Sequence, residues 1–273
     1  MAEQDKSLGH YVIRGGEEGK KRLDLLADIM KPSTKALLTR IGVGPGERLL
    51  DLGCGGGHVS FLAARIVGPD GSVTGVDLDE TKLGLAREAA GELGLANVRF
   101  LNGNAAEATE AASFDYAYAR FLLTHLSDPL AVLRVMYNSL KPGAVVAVED
   151  IDASGCFCYP ESPHYDRGVD LYRDVVRRKG GDPDIGSKLP SWLRRAGFEG
   201  IEVGMVQPVH LQGDHKSLML TTMENIAEPV IAEGLATEHE LGETIEGLRT
   251  LTADPTSLIA MPRVVQSWGV KPG

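Results

Sequence analysis

Between Glu17 and Met30 apolar residues return every three to four positions, the stripe of an amphipathic helix, and Pro32 suits the first turn of a second one. The stretch from Gly42 to Gly46 breaks that pattern. From there short apolar runs alternate with helix-like runs. Strands are expected at 48–52, 72–77, 98–101, 114–119 and 144–149, and helices at 58–67, 80–93 and 128–140. The strand runs are apolar throughout instead of alternating, so both faces of the sheet need a helical cover and the arrangement is parallel and doubly wound. Right-handed crossovers then fix most of the topology. Lys141, Pro142 and Gly143 read as a tight turn feeding the fifth strand.

Beyond Asp152 the rhythm changes. Residues 154–163 are rich in Cys, Pro and aromatic side chains and read as loop, a helix follows at 165–178, and a helix at 188–196 is stopped by Gly197. Two further strands are expected at 201–211 and 261–270. The mostly helical stretch 216–251 between them is read as a lid inserted between the last two strands. No internal repeat is present.

Composition narrows the function classes. A chain of 273 residues buries roughly three quarters of its unfolded surface, so neither disulfides nor metals are needed to hold it. With 43% hydrophobic and 24% charged residues it falls among globular proteins and away from disordered or fibrous ones. Acids outnumber bases 38 to 28, for a net charge of −10, which repels a phosphate backbone and argues against nucleic acid as partner. Three cysteines, Cys54, Cys156 and Cys158, are an odd number and point to a reducing compartment. The polar start lacks the blocks of a secretion signal, and no apolar run approaches the ~20 residues that span a bilayer. A cytoplasmic protein without membrane insertion is expected.

The segment from Leu49 to His58, LLDLGCGGGH, carries the chemistry. An apolar strand runs into a glycine turn that opens a helix, where glycines permit positive φ and close approach of a ligand to backbone, and the helix start offers unpaired N–H groups. Asp77 ends the next strand, where a carboxylate can accept both hydroxyls of a ribose. A dinucleotide fingerprint needs a third small residue at position 58, which is His58. The spacing of Gly53, Gly55 and Gly57 behind Asp51 instead sets a carboxylate near a bound amino group, as the methionine end of S-adenosylmethionine requires.

The chain resembles the class I S-adenosylmethionine-dependent methyltransferases through LLDLGCGGG (49–57), GVDLD (75–79), RFLNGNA (99–105), FDYAYARFLLTHLSDP (114–129), LKPGAVVAVED (140–150) and LPSWLRRAGF (189–198). The set is similar to the ubiquinone/menaquinone-biosynthesis branch, which methylates small molecules. The resemblance implies that Asp51, Gly53, Gly55 and Gly57 line the methionine and sulfonium end, that Asp77 binds the ribose and that Leu78 lies against the adenine. Asn104 and Ala105 would meet the adenine edge, where the family usually has Asp and Asn brings no charge. Arg120 would turn its backbone carbonyl to the cofactor's amino group. S-adenosylhomocysteine is the expected product.

Methyl transfer mainly needs alignment and exclusion of water, and a general base only where the nucleophile carries a proton. His125 is the first candidate, since its ordinary pKa lies near neutrality; Asp150, with Asp152, is the second. Other features have plainer readings. Cys54 is a small filler. Cys156 and Cys158 near His164 lack a second ligand pair, so no metal is expected. Arg173, Arg177, Arg178 and Lys179 read as a solvated helix face. Leu218, Met219, Met223 and Ile226 are either core or the wall of an apolar pocket. Tyr11 is either part of a flap over the cofactor or an exposed anchor.

The resulting expectation is an α/β, Rossmann-like, doubly wound seven-stranded mixed sheet with its last strand antiparallel. Residues 1–36 form a helical cover, 37–152 the cofactor-binding core, and 153–273 the substrate side, with the lid at about 216–251. The acceptor would enter between the lid, the 154–165 loop and His125. Two alternatives stay open: an NAD(P)-dependent oxidoreductase and a non-catalytic binding protein of the same fold.

Overall fold

A computed structural model describes residues 16–106 and 111–273; Tyr11 and the first 15 residues of the expected cover lie outside them. The strands are β1 (Arg48–Leu52), β2 (Ser72–Asp77), β3 (Val98–Asn102), β4 (Phe114–Arg120), β5 (Leu140–Asp152), β6 (Phe157–Tyr159), β7 (Glu199–Val206), β8 (Val209–His210), β9 (Leu258–Ala260) and β10 (Arg263–Val270). The helices are α1 (Gly16–Arg40), α2 (His58–Val67), α3 (Glu80–Glu92), α4 (Pro129–Ser139), α5 (Pro163–Arg178), α6 (Leu189–Ala196), α7 (Leu218–Asn225), α8 (Ala227–Ala232) and α9 (Glu238–Ala253).

Seven strands pair in the order β3-β2-β1-β4-β5-β10-β7. β1 to β5 run parallel, and β10 runs antiparallel to both of its neighbours. The expected mixed sheet is therefore present, with the last strand of the chain set between β5 and the edge strand β7. Its continuous apolar runs serve two cores. Leu49, Tyr116, Tyr118, Ala147 and Trp268 pack toward α1 and α2, whereas Leu50, Leu52, Ala117, Ala119 and Val148 pack with residues of α4 and α6. Alternate residues of a strand point to opposite faces, so a run apolar at every position is what two helical layers require.

Four boundaries differ from the periodicity. Pro32 lies inside one helix, α1, and starts no second one. Met30, Thr34, Leu37 and Leu38, at helical spacing, are all buried, and that continuous contact outweighs the missing proline N–H. Lys141-Pro142-Gly143 is an outward bulge within β5, since the register steps from Phe114 opposite Leu140 to Tyr116 opposite Val145. Residues 154–163 are not all loop: β6 pairs with β9, and β9 with β8, in a second sheet of three antiparallel strands. Of the two late strands the first is divided, β7 from β8 at Pro208, and the second starts only at Arg263, past Pro262, with β9 a separate strand ahead of it, because proline offers no ladder donor. The inserted helices α7, α8 and α9 share a third core with α5, which includes Leu171, Val175, Met223, Val230 and Leu248.

Candidate active site

β1 delivers Asp51 and ends in the glycine turn. Gly53, Gly55 and Gly57 have φ of 70°, 52° and 79°, a left-handed backbone that other residues rarely adopt. The Gly53 and Cys54 amides donate to the Val76 carbonyl of β2 at 2.8 and 3.1 Å, and the Gly55 amide donates to Asp77 Oδ2 at 2.8 Å. Asp77 Oδ1 accepts the Asp79 amide at 3.0 Å. The two turns are thereby cross-linked through one carboxylate. That uses two of its roughly four lone-pair sites and leaves two for a ligand.

These residues open onto a cavity of about 470 Å³, a size usual for small-molecule sites. Asp51, Gly53, Gly55, Asp77, Leu78, Asn104, Ala105, Arg120 and His125 all contribute to its wall. Asp51 is 2% exposed and accepts from Ser60 Oγ at 2.6 Å. Burial is the main cause that raises its pKa from 3.8 to about 6, and the Ser60 bond and Arg120 pull it partly back. Leu78 is 43% exposed, an apolar face available to a ring. Asn104 Oδ1 accepts the Ala106 amide at 3.0 Å, which leaves that oxygen one lone pair for an adenine edge.

Three expected residues do not reach the cavity. Gly57 packs into the core instead: a Cβ there would stand 2.8 Å from Phe100 and 2.9 Å from Phe61. Its glycine serves helix–sheet packing, where the sequence reading gave it a ligand. Asp150 is fully buried and accepts the Thr124 amide at 3.1 Å and the Ile151 amide at 2.9 Å. Burial raises its pKa to about 7, but it is absent from the cavity wall and cannot meet an acceptor there. Asp152 likewise turns away, to Ser154 and Arg263.

His125 does line the cavity, but not as a ready base. Burial first, and then the charges of Arg22, Lys82 and Lys179, lower its pKa from 6.5 to about 3. The imidazole stays neutral and is too weak a base to take a proton from an ordinary hydroxyl. It is carried by a turn that begins at Phe121, whose φ of 54° is strained for an aromatic residue. The Phe121 amide donates to the Glu149 carbonyl at 2.9 Å, which holds the chain in that bend.

Periodicity gave no signal for several wall residues: Arg22 from α1, Tyr165 and Tyr172 from α5, Thr222 from α7, Ile259 from β9 and Met261 just after it. Of the four residues read as either core or pocket wall, Leu218 and Met219 line the cavity, whereas Met223 and Ile226 are buried in the core. Of 154–165 only Tyr165 lines the cavity, and of the inserted helices only α7. Also missed was a buried cluster around Glu149, which is fully buried and accepts from Tyr118, Gln266 and Thr34. Arg120 donates to Thr34 Oγ1 at 2.9 Å, so this cluster ties α1 to the sheet and fixes the guanidinium at the cavity edge.

A family profile described as "Methyltransferase domain" matches residues 44–180, half of the chain. The chain belongs to the methyltransferase-domain family. Demethylmenaquinone methyltransferase of Listeria welshimeri is 39% identical over 117 residues, 42% of this chain and 50% of the relative. The chain thus spans about half the length of the Listeria relatives it matches. Methyltransferase str2 of Strobilurus tenacellus is 29% identical over 196 residues, 71% of this chain and 68% of the relative. Among solved structures, a methyltransferase from Bacillus halodurans superposes with a TM-score of 0.60 at 22% identity, over 88% of this chain and all of the other. Phosphoethanolamine N-methyltransferase 2 of Haemonchus contortus, in complex with S-adenosyl-L-methionine, gives 0.58 at 20% identity, over 92% and 57%. Both share the fold. The family match covers 44–180, so α1, α6 to α9, β7 and β10 lie outside it, and of the second sheet only β6 lies within it.

Proposed function

We propose that this methyltransferase transfers a methyl group from S-adenosylmethionine to a small acceptor with an apolar body, in the manner of the quinone-biosynthesis branch, and does so in the cytoplasm. The carrying observation is that one cavity joins the acid-lined glycine turn to an apolar wall. When bound, S-adenosylmethionine supplies a methyl on a positively charged sulfur, open to displacement by a nucleophile. The chain's residues fit that cofactor. Asp51 is a buried acceptor for an ammonium or sulfonium charge, Asp77 keeps lone pairs for two hydroxyls, and Leu78 offers an apolar face to a base. A Cβ on Gly55 would meet nothing within 4 Å, so the backbone there borders open space. Leu122, Phe121 and the α5 and α7 residues exclude water from the site, which strengthens every charge interaction inside it. Among the described residues no helix is long and apolar enough to cross a membrane.

Calorimetric titration with S-adenosylhomocysteine and with NADH tests the cofactor. Micromolar binding of the former and none of NADH is expected, and the reverse order would establish an oxidoreductase. Tritiated methyl from S-adenosylmethionine should then pass into a solvent-extractable product of a cell extract. Binding without any labelled product would leave a non-catalytic protein.

A further inference from the structure

β7 and β8 form one ribbon on either side of Pro208. The Met261 amide donates to the Pro208 carbonyl at 2.9 Å, so the pairing of β7 with β10 passes into that of β8 with β9. Along this ribbon Val203, Met205, Val209 and Leu211 are exposed, whereas Val206 packs on the core of the inserted helices. Alternate residues of a strand point to opposite faces, and the four exposed ones share a face. In the second sheet Phe157, Ala260 and Val209 stand in one row, with Tyr159 opposite Leu258 in the next. Phe157 and Tyr159 therefore extend the same face. The exposures of these six residues run from 46% at Val209 to 69% at Tyr159. With ordinary residue areas they amount to about 700 Å², more than the ~300–600 Å² of the largest patch on a typical monomer. β6, β7 and β8 each end a sheet, and among the described residues no further strand pairs with them.

We propose that a second copy of this chain covers the patch, the same face of both copies packing about a twofold axis. Two such patches bury roughly 1,400 Å² in all, within the ~1,200–2,000 Å² of stable interfaces, and sheets pack face to face through apolar side chains of this kind. Glu202 points to the other face of the ribbon and Glu199 lies at its far end, so neither carboxylate enters the contact. Segments 157–161 and 199–211 hold no Lys or Arg, which argues against an anionic lipid surface as the occupant, since such a surface attracts basic segments. On the reverse side of the small sheet Ile259 lines the cavity, so the interface backs the site. The proposal does not depend on the methyl-transfer reading.

Sedimentation velocity of the full chain from about 0.01 to 100 µM should show a concentration-dependent dimer. Met205→Glu and Leu211→Glu should each weaken it at least tenfold, whereas Leu93→Glu, at an exposed apolar residue that ends α3, should leave it unchanged. Each copy carries a net charge of −10, so association should tighten as NaCl screens the repulsion. On the wild type, hydroxyl-radical labelling of Met205 and Tyr159 should be at least threefold lower in the dimer than in the monomer obtained by dilution, which decides the matter if a variant does not fold. A monomer at the highest concentration, a dimer that both Glu variants leave intact, tighter association at low salt, or labelling as strong in the dimer as in the monomer would overturn the proposal. So would a monomer that instead sediments with phosphatidylcholine vesicles and loses them in Leu211→Glu.

Discussion

Replacing Asp77 separates the ligand from the scaffold. In the structure its two oxygens accept the Gly55 amide at 2.8 Å and the Asp79 amide at 3.0 Å, and the residue lines the cavity. Asp77→Asn keeps the size and one carbonyl oxygen but removes the charge and sets an NH₂ against one of the two amides. A hydrogen bond to a charged group contributes about 1.5–3 kcal/mol, so losing one to a ribose hydroxyl weakens S-adenosylhomocysteine binding roughly 10- to 150-fold, at about 1.4 kcal/mol per decade. Asp77→Ala removes both hydroxyl contacts and also strips the Gly55 and Asp79 amides of their acceptor. It should bind more weakly still and lose about 1–3 kcal/mol of stability. Calorimetry gives the affinity and urea unfolding the stability, on the same preparations. A folded Asp77→Asn protein whose affinity stays within twofold of the wild type would refute the assignment.

Asp51 titrates near 6 because burial disfavours its charge, whereas a cationic ligand end needs it ionised. Affinity for S-adenosylmethionine should therefore fall as pH drops below about 6, by up to tenfold per unit, and Asp51→Asn should abolish that dependence; calorimetry giving a flat wild-type profile from pH 5 to 7 would count against the contact. His125→Gln should keep turnover within about tenfold, since loss of a true general base costs roughly 10² to 10⁴. Between pH 3 and 6.5 the unfolded chain binds the His125 proton more readily than the folded one, so stability rises with pH there and the glutamine variant should show a flatter acid limb in urea melts. Gly57→Ala should cost about 2–5 kcal/mol, from a left-handed backbone at 1–2 and overpacking against Phe61 and Phe100 at 1–3. Gly55→Ala, with open space around it, should cost only the first part.

The seven-stranded mixed sheet was legible because strand and helix periods differ and because strands covered on both faces are apolar at every position, whereas the place of β10 between β5 and β7 came only from the structure. The turn at 53–57 was legible for a similar local reason: few residues other than glycine adopt that backbone, and a carboxylate two residues upstream is visible in the chain itself. The boundaries failed where a tertiary contact outweighed a local rule, as at Pro32, where Met30, Thr34, Leu37 and Leu38 carry the helix across the proline. Glu149 reads as the polar end of a strand and gives no sign that Thr34, Tyr118 and Gln266 converge on it.

Which residues carry out a chemical task was another matter. Local pattern determined the glycine turn, Asp51 and Asp77, because they lie within one strand–turn–helix unit and the end of the neighbouring strand. Only the folded chain decided that Gly57 packs in the core, that Asp150 is spent on backbone amides and that His125 is held neutral, because burial depends on elements far away in sequence.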